Sequence, residues 1–147
     1  IAFAGEALVG KYYGAGDRPR MRLCVKRLFV WASALSVLFA VAYAFPHHIF
    51  AVLTSESKVV TASMDYRWWC AVLPLAGMAA FVWDGVFIGL TRSRGMLVAV
   101  AAAASVFFVL YAILPESLGN HRLWMSFVAF LSMRGAVQTV IYYTQIR

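Results

Sequence analysis

Long apolar runs alternate with short polar stretches along the whole chain. Residues 1–14 read as the end of an apolar helix, broken by GAGDRPRMR (14–22) with its two glycines and proline. A second span covers 28–45 and stops at Pro46. HHIFAVL (47–53) continues it or lies at an interface, and the polar stretch 54–67 leads into the next helix from outside the hydrocarbon. The third span is 68–90, followed by a tight polar turn, TRSRG (91–95). The fourth is 96–114, ended by Pro115. After the loop 115–122 comes a fifth, 123–143, interrupted by Arg134. Runs of about 20 residues match a hydrocarbon layer of about 30 Å at about 1.5 Å per residue. In lipid the backbone must satisfy its own hydrogen bonds, which leaves helices and closed barrels. These runs lack the period-two alternation of barrel strands. The pattern predicts an all-α polytopic membrane protein.

Composition agrees. Of 147 residues 63% are hydrophobic, with a mean hydropathy of +0.78, where soluble domains lie nearer about one half apolar. The net charge of +7 raises nucleic-acid binding, but the basic residues sit between the apolar runs and form no basic helical face. The positive-inside rule accounts for them. Lys11, Arg18, Arg20, Arg22, Lys26, Arg27, Arg92, Arg94 and Arg147 fall on one side, against Lys58, Arg67 and Arg122 on the other. This bias places the 14–27 loop, the 91–95 turn and the C-terminus in the cytoplasm, in a multi-pass protein of the cell (inner) membrane. Trp68 and Trp69 then belong to the outer aromatic belt. Cys24 and Cys70 lie in different environments without metal-ligand spacing and are expected to be free thiols. The chain begins with Ile inside an apolar helix, which suggests a longer protein with its beginning missing.

Against this background Asp84 stands out as the only charge in 68–90. It lies about 7–8 Å from the middle of its span toward the cytoplasm, at about 1.5 Å per residue. An intramembrane acid is costly and faces a bundle interior, a water-filled cavity or a partner charge. Desolvation favours its protonated form unless a cation is near. Such a group can hold a proton or a sodium ion; its other role is a structural hydrogen bond to a neighbouring helix. Glu6, two turns before the basic loop, has the same two roles open to it. Arg134 lies near the centre of the last span and needs a partner, for which Asp84 and Glu6 qualify by charge. Gln138 and Tyr142 follow at i+4 and i+8, giving one polar stripe. Interhelical glue is its expected role, ahead of substrate contact. Pro74 removes a backbone hydrogen bond and frees the carbonyl of Cys70, producing a hinge or a static bend.

Gly10/Gly14 and Gly85/Gly89 are small-xxx-small pairs that let helix backbones approach closely. Each pair precedes a basic turn and follows an acid, a faint internal echo of the kind that repeat-built transporter lobes show. His47 and His48 point to different sides and suit a wet interface rather than a shared metal. No metal quartet, nucleophile elbow or phosphate loop is present; GAGD (14–17) follows a helix, not a strand. Neither a cofactor nor enzymatic chemistry is expected.

AGEALVGKYYGAGD (4–17) resembles the eighth-helix signature of the multidrug and toxic compound extrusion (MATE) family. AVLTSESKVV (51–60) is similar to the approach to the tenth helix, and LPLAGMAAFVWDGVFIGLTRSR (73–94) looks like that helix in the DinF-type branch. The resemblance implies twelve helices in two six-helix lobes, a cation antiporter (H+ or Na+) working by alternating access. This chain would be helices eight to twelve of the C-terminal lobe. The implied partners are the bilayer, a small organic cation or amphipathic substrate, and the missing N-terminal lobe. Asp84 matches the acidic position of the tenth helix and Glu6 the acid of the eighth-helix motif. Lys11 stands where the family usually has Gln. The family's first-helix acid, which binds the coupling cation in this branch, lies outside this chain. The competing readings are a lipid-linked precursor flippase of the same superfamily, a polytopic membrane enzyme, and a non-transporting structural subunit. The enzyme would need acids or histidines clustered at one membrane face. The structural subunit has no need of an intramembrane Asp84 and Arg134.

Overall fold

The computed structural model describes residues 1–45 and 64–146. Within them the chain forms five α-helices and no strand: α1 (Ala2–Gly14), α2 (Arg18–Ala44), α3 (Arg67–Gly89), α4 (Ser93–Ile113) and α5 (His121–Gln145). A 3-10 turn, Glu116–Leu118, joins α4 to α5. Helices α2 to α5 are each long and apolar enough to cross a membrane. The protein is thus all-α and multi-pass, as the pattern of apolar runs predicts. Pro46, His47, His48 and the segments 47–53 and 54–63 lie outside the described residues.

The second helix corrects the expected boundary. The span was expected from 28, with 14–27 as a loop, yet α2 begins at Arg18. Local chemistry explains the early start. Gly16 turns the chain at φ 72°. Asp17 then caps α2, its Oδ1 accepting from the Arg20 backbone N–H at 3.0 Å, which satisfies one of the four orphan donors of a helix start. Pro19 occupies the first turn, where its missing N–H is no loss. The basic residues Arg18 to Arg27 therefore form the opening turns of a helix.

α3 is the central element. It packs against α1, α2 and α5, while α4 lies mainly on α5. Trp83, Phe87 and Val86 of α3 close the core with Val9 of α1, Met21 of α2 and Leu90. Many large apolar side chains face outward, among them Trp31, Leu97, Phe108 and Ile113, as helices solvated by lipid tails require. Trp69 of α3 bonds His121 at the start of α5, and Trp83 bonds Thr139 near its end. α3 and α5 therefore run parallel and share a register.

α1 and α3 meet backbone to backbone. A Cβ added at Gly10 would sit 3.3 Å from the Gly89 carbonyl oxygen, and one at Gly89 only 2.7 Å from the Glu6 carbonyl oxygen. Gly85 faces the Ala2 backbone, and Gly5 lies against Gly85 and Leu28. The expected Gly10/Gly14 pair is corrected on one point: Gly14 has nothing within 4 Å of an added Cβ. The crossing falls at Gly5 and Gly10, and the last turn of α1 has already passed it.

Candidate functional site

The parallel register of α3 and α5 decides what Asp84 meets. Its Oδ2 receives the Arg134 guanidinium at 2.5 Å, and its Oδ1 accepts from the Gln138 side-chain amide at 2.9 Å. Arg134 and Gln138 are one helical turn apart, so both reach the same carboxylate from one face of α5. The Asp84 and Arg134 side chains are 17% and 16% exposed, whereas Gln138 is fully buried. Two polar atoms in this cluster are buried without a partner among the described residues, Arg134 Nε and Gln138 Oε1. The carboxylate is thus charge-compensated, its two oxygens held by two different side chains.

The residue before Asp84 anchors the same interface. Trp83 is 2% exposed. Its indole N–H donates to Thr139 Oγ1 at 2.7 Å, and the Thr139 hydroxyl donates back to the Gly135 carbonyl at 2.7 Å. Its ring packs on Phe29 of α2 and Tyr142 of α5, with centroids 4.9 and 4.5 Å away. Gly135 admits this close approach: an added Cβ would lie 2.9 Å from Ala79 Cβ. A cavity of about 450 Å³ opens beside Trp83, lined also by Arg22, Lys26, Phe29, Thr139, Tyr142 and Tyr143.

Of the residues singled out by sequence, the fold brings together Asp84, Arg134 and Gln138. Glu6 is not joined to them. It is half-buried on α1, its backbone lies against Gly89, and its side chain has no hydrogen bond or ion pair among the described residues. Pro74 sits inside α3, nearly three turns before Asp84 at about 3.6 residues per turn, and lines a separate cavity of about 300 Å³ with Ala32, Leu35, Ser36, Phe39 and Met78. Tyr142 belongs to the polar stripe but packs on Trp83. Trp83, Thr139 and Gly135 carried no functional expectation. Their signal was adjacency, since they flank Asp84, Gln138 and Arg134 in the sequence. Among the described residues no group of three His, Cys, Asp or Glu side chains could hold a metal ion, and Cys24 and Cys70 are free.

Comparison with known proteins places this arrangement. The MatE family model matches residues 1–114. The chain is 37% identical over 142 residues to the DNA damage-inducible protein F of Escherichia coli (strain K12), a match that covers 92% of this chain and 29% of that relative. The chain therefore spans less than a third of the relative's length. No solved structure matches it. With four membrane-length helices, an intramembrane acid on α3 and a family match running from α1 through α4, this chain belongs to the MatE family.

Proposed function

We propose that the chain forms part of a cation-coupled antiporter that exports organic compounds by alternating access, with Asp84 taking part in coupling. The observation that carries this reading is an ionisable side chain inside an apolar helix, held by Arg134 and Gln138 and 17% exposed. Such a charge is expensive in a membrane and marks an ion or substrate path by default. Family membership supports transport over enzymatic chemistry. The coupling ion is a proton or sodium, and the exported compound is a small organic cation or an amphipathic molecule. We further propose that the end carrying Arg18 to Arg27, Arg92 and Arg94 faces the cytoplasm of the inner membrane, by the positive-inside rule. Pro74 is proposed as the bend about which the half of α3 nearer Arg67 moves, since α3 lacks one backbone hydrogen bond there.

The test is Asp84→Asn in the intact protein, with efflux driven by a proton or sodium gradient in proteoliposomes. The amide keeps the size and one of the two acceptor oxygens that Arg134 and Gln138 use, and removes the charge. Efflux is expected to fall by about tenfold or more, since about 1.4 kcal/mol of lost coupling is a factor of ten. Wild-type efflux with unchanged ion dependence would leave Asp84 a structural residue.

A further inference from the structure

We infer that Arg134 is a resident counter-ion at Asp84, which the transported cation must displace in order to bind. The inference rests on the coupling reading of Asp84 and adds to it the residue that sets the ion affinity of the site.

Charge comes first. Arg134 already neutralises Asp84. A proton or sodium ion arriving at the same carboxylate while the guanidinium stays would leave a net positive charge inside the span. That is unfavourable both by like-charge repulsion and by burial. Arg134 and the cation are therefore alternatives, and their exchange keeps the site neutral. Among the described residues the other charges on the helices packed on α3 are Glu6 and Lys11 of α1, those of α2 between Arg18 and Arg27, Arg94 in the first turn of α4, and His121 and Arg122 at the start of α5; the ion pair of Asp84 is with Arg134.

Geometry comes second. Gln138 occupies the other carboxylate oxygen and is fully buried. It can keep Asp84 oriented while Arg134 leaves, because a carboxylate offers about four acceptor positions. Arg134 holds Asp84 through one terminal nitrogen, and its Nε is buried with no partner among the described residues. A permanent buried ion pair normally has its remaining donors satisfied. The Oε1 of Gln138, on the amide that donates to Asp84, is likewise a buried acceptor without a donor among the described residues. A bare oxygen next to a carboxylate suits an incoming cation or its water. An arginine held at one point and 16% exposed suits release.

The experiment measures the half-saturating cation concentration for efflux by the intact protein in proteoliposomes. Wild type is compared with Arg134→Gln, Arg134→Lys and Asp84→Asn. Removing the competitor should lower the half-saturating concentration in Arg134→Gln by about tenfold or more, with a slower maximal rate because the ion is released poorly. Arg134→Lys keeps the charge on a shorter stem. It should shift the value in the same direction by less, and it carries the test if Arg134→Gln is not recovered folded. An unchanged half-saturation in the folded variants, with Asp84→Asn still uncoupled, overturns the inference and leaves the coupling reading intact. Wild-type ion dependence in Asp84→Asn removes the coupling reading itself.

Discussion

Arg134 of α5 closes on Asp84 of α3 across fifty residues of chain, and Gln138 one turn later holds the other oxygen of the same carboxylate. The two helices carry complementary charges at matching depth because they run parallel from a shared start, where Trp69 bonds His121 at 2.9 Å. Neither charge is tolerable alone in hydrocarbon. Together they make the α3–α5 interface specific as well as close.

This interdependence is measurable. Arg134→Ala leaves Asp84 a carboxylate without a counter-ion, and breaking a buried pair from one side costs about 3–5 kcal/mol. Partial exposure of both side chains puts the expected loss at the lower end of that range. Removing both charges in Asp84→Asn/Arg134→Ala should restore much of the folded yield. Thermal unfolding in detergent, followed for both single variants and the double, gives the coupling. Additive losses would show that the two side chains do not support one another.

The α1–α3 contact predicts an asymmetry between glycines. A methyl at Gly89 would press on the Glu6 carbonyl oxygen at 2.7 Å and on the Gly10 nitrogen at 3.0 Å. Both are backbone atoms that can move only with the helix. Gly89→Ala is expected to destabilise by about 1–3 kcal/mol, the range for overpacking. Gly14→Ala meets open space and should be neutral or slightly stabilising, since alanine favours a helix over glycine. Melting temperatures of the two variants, measured side by side, decide the point.

Topology offers a third check. Position 20 lies in the first turn of α2, at one end of the bundle, and position 120 precedes α5 at the other. Both residues are exposed. With the native Cys24 and Cys70 replaced by Ser, Arg20→Cys should react only with thiol reagents that reach the cytoplasm. Asn120→Cys should react with impermeant reagents added outside. External labelling of both positions would reverse the inferred orientation.

The helices were legible because lipid makes each span a long apolar run, and Asp84 and Arg134 were legible because they interrupt such runs. Their pairing was open, since charge alone admitted Glu6 as well; register decides it, and register depends on how α3 and α5 start together. The early start of α2 was hidden because half of its first ten residues, Arg18, Arg20, Arg22, Lys26 and Arg27, are charged. Hydropathy sees no span there, while the Asp17 cap and Pro19 at the first turn are helix signals of a different kind. Gly5 escaped notice because it forms no four-residue glycine spacing with Gly10. Crossing geometry, rather than motif, selected it.

Trp83 carries the last prediction. It ties three helices, with Phe29 on α2 and Tyr142 on α5 against its ring and Thr139 on α5 accepting its indole N–H. Thr139→Val keeps shape and removes the acceptor, leaving a buried donor unpaired, at a cost of about 1–3 kcal/mol. Trp83→Phe removes the donor together with part of the ring, so it should lose packing as well. In Trp83→Phe the further change Thr139→Val should cost little, because the indole that needed the hydroxyl is gone. The difference between the two contexts isolates the hydrogen bond, and about 0.6 kcal/mol is the average for such bonds between membrane helices. Thermal unfolding of the four proteins supplies the cycle. If Thr139→Val loses as much stability with Phe at position 83 as with Trp, the Trp83–Thr139 bond contributes nothing and Trp83 ties α3 to α5 through its ring packing alone.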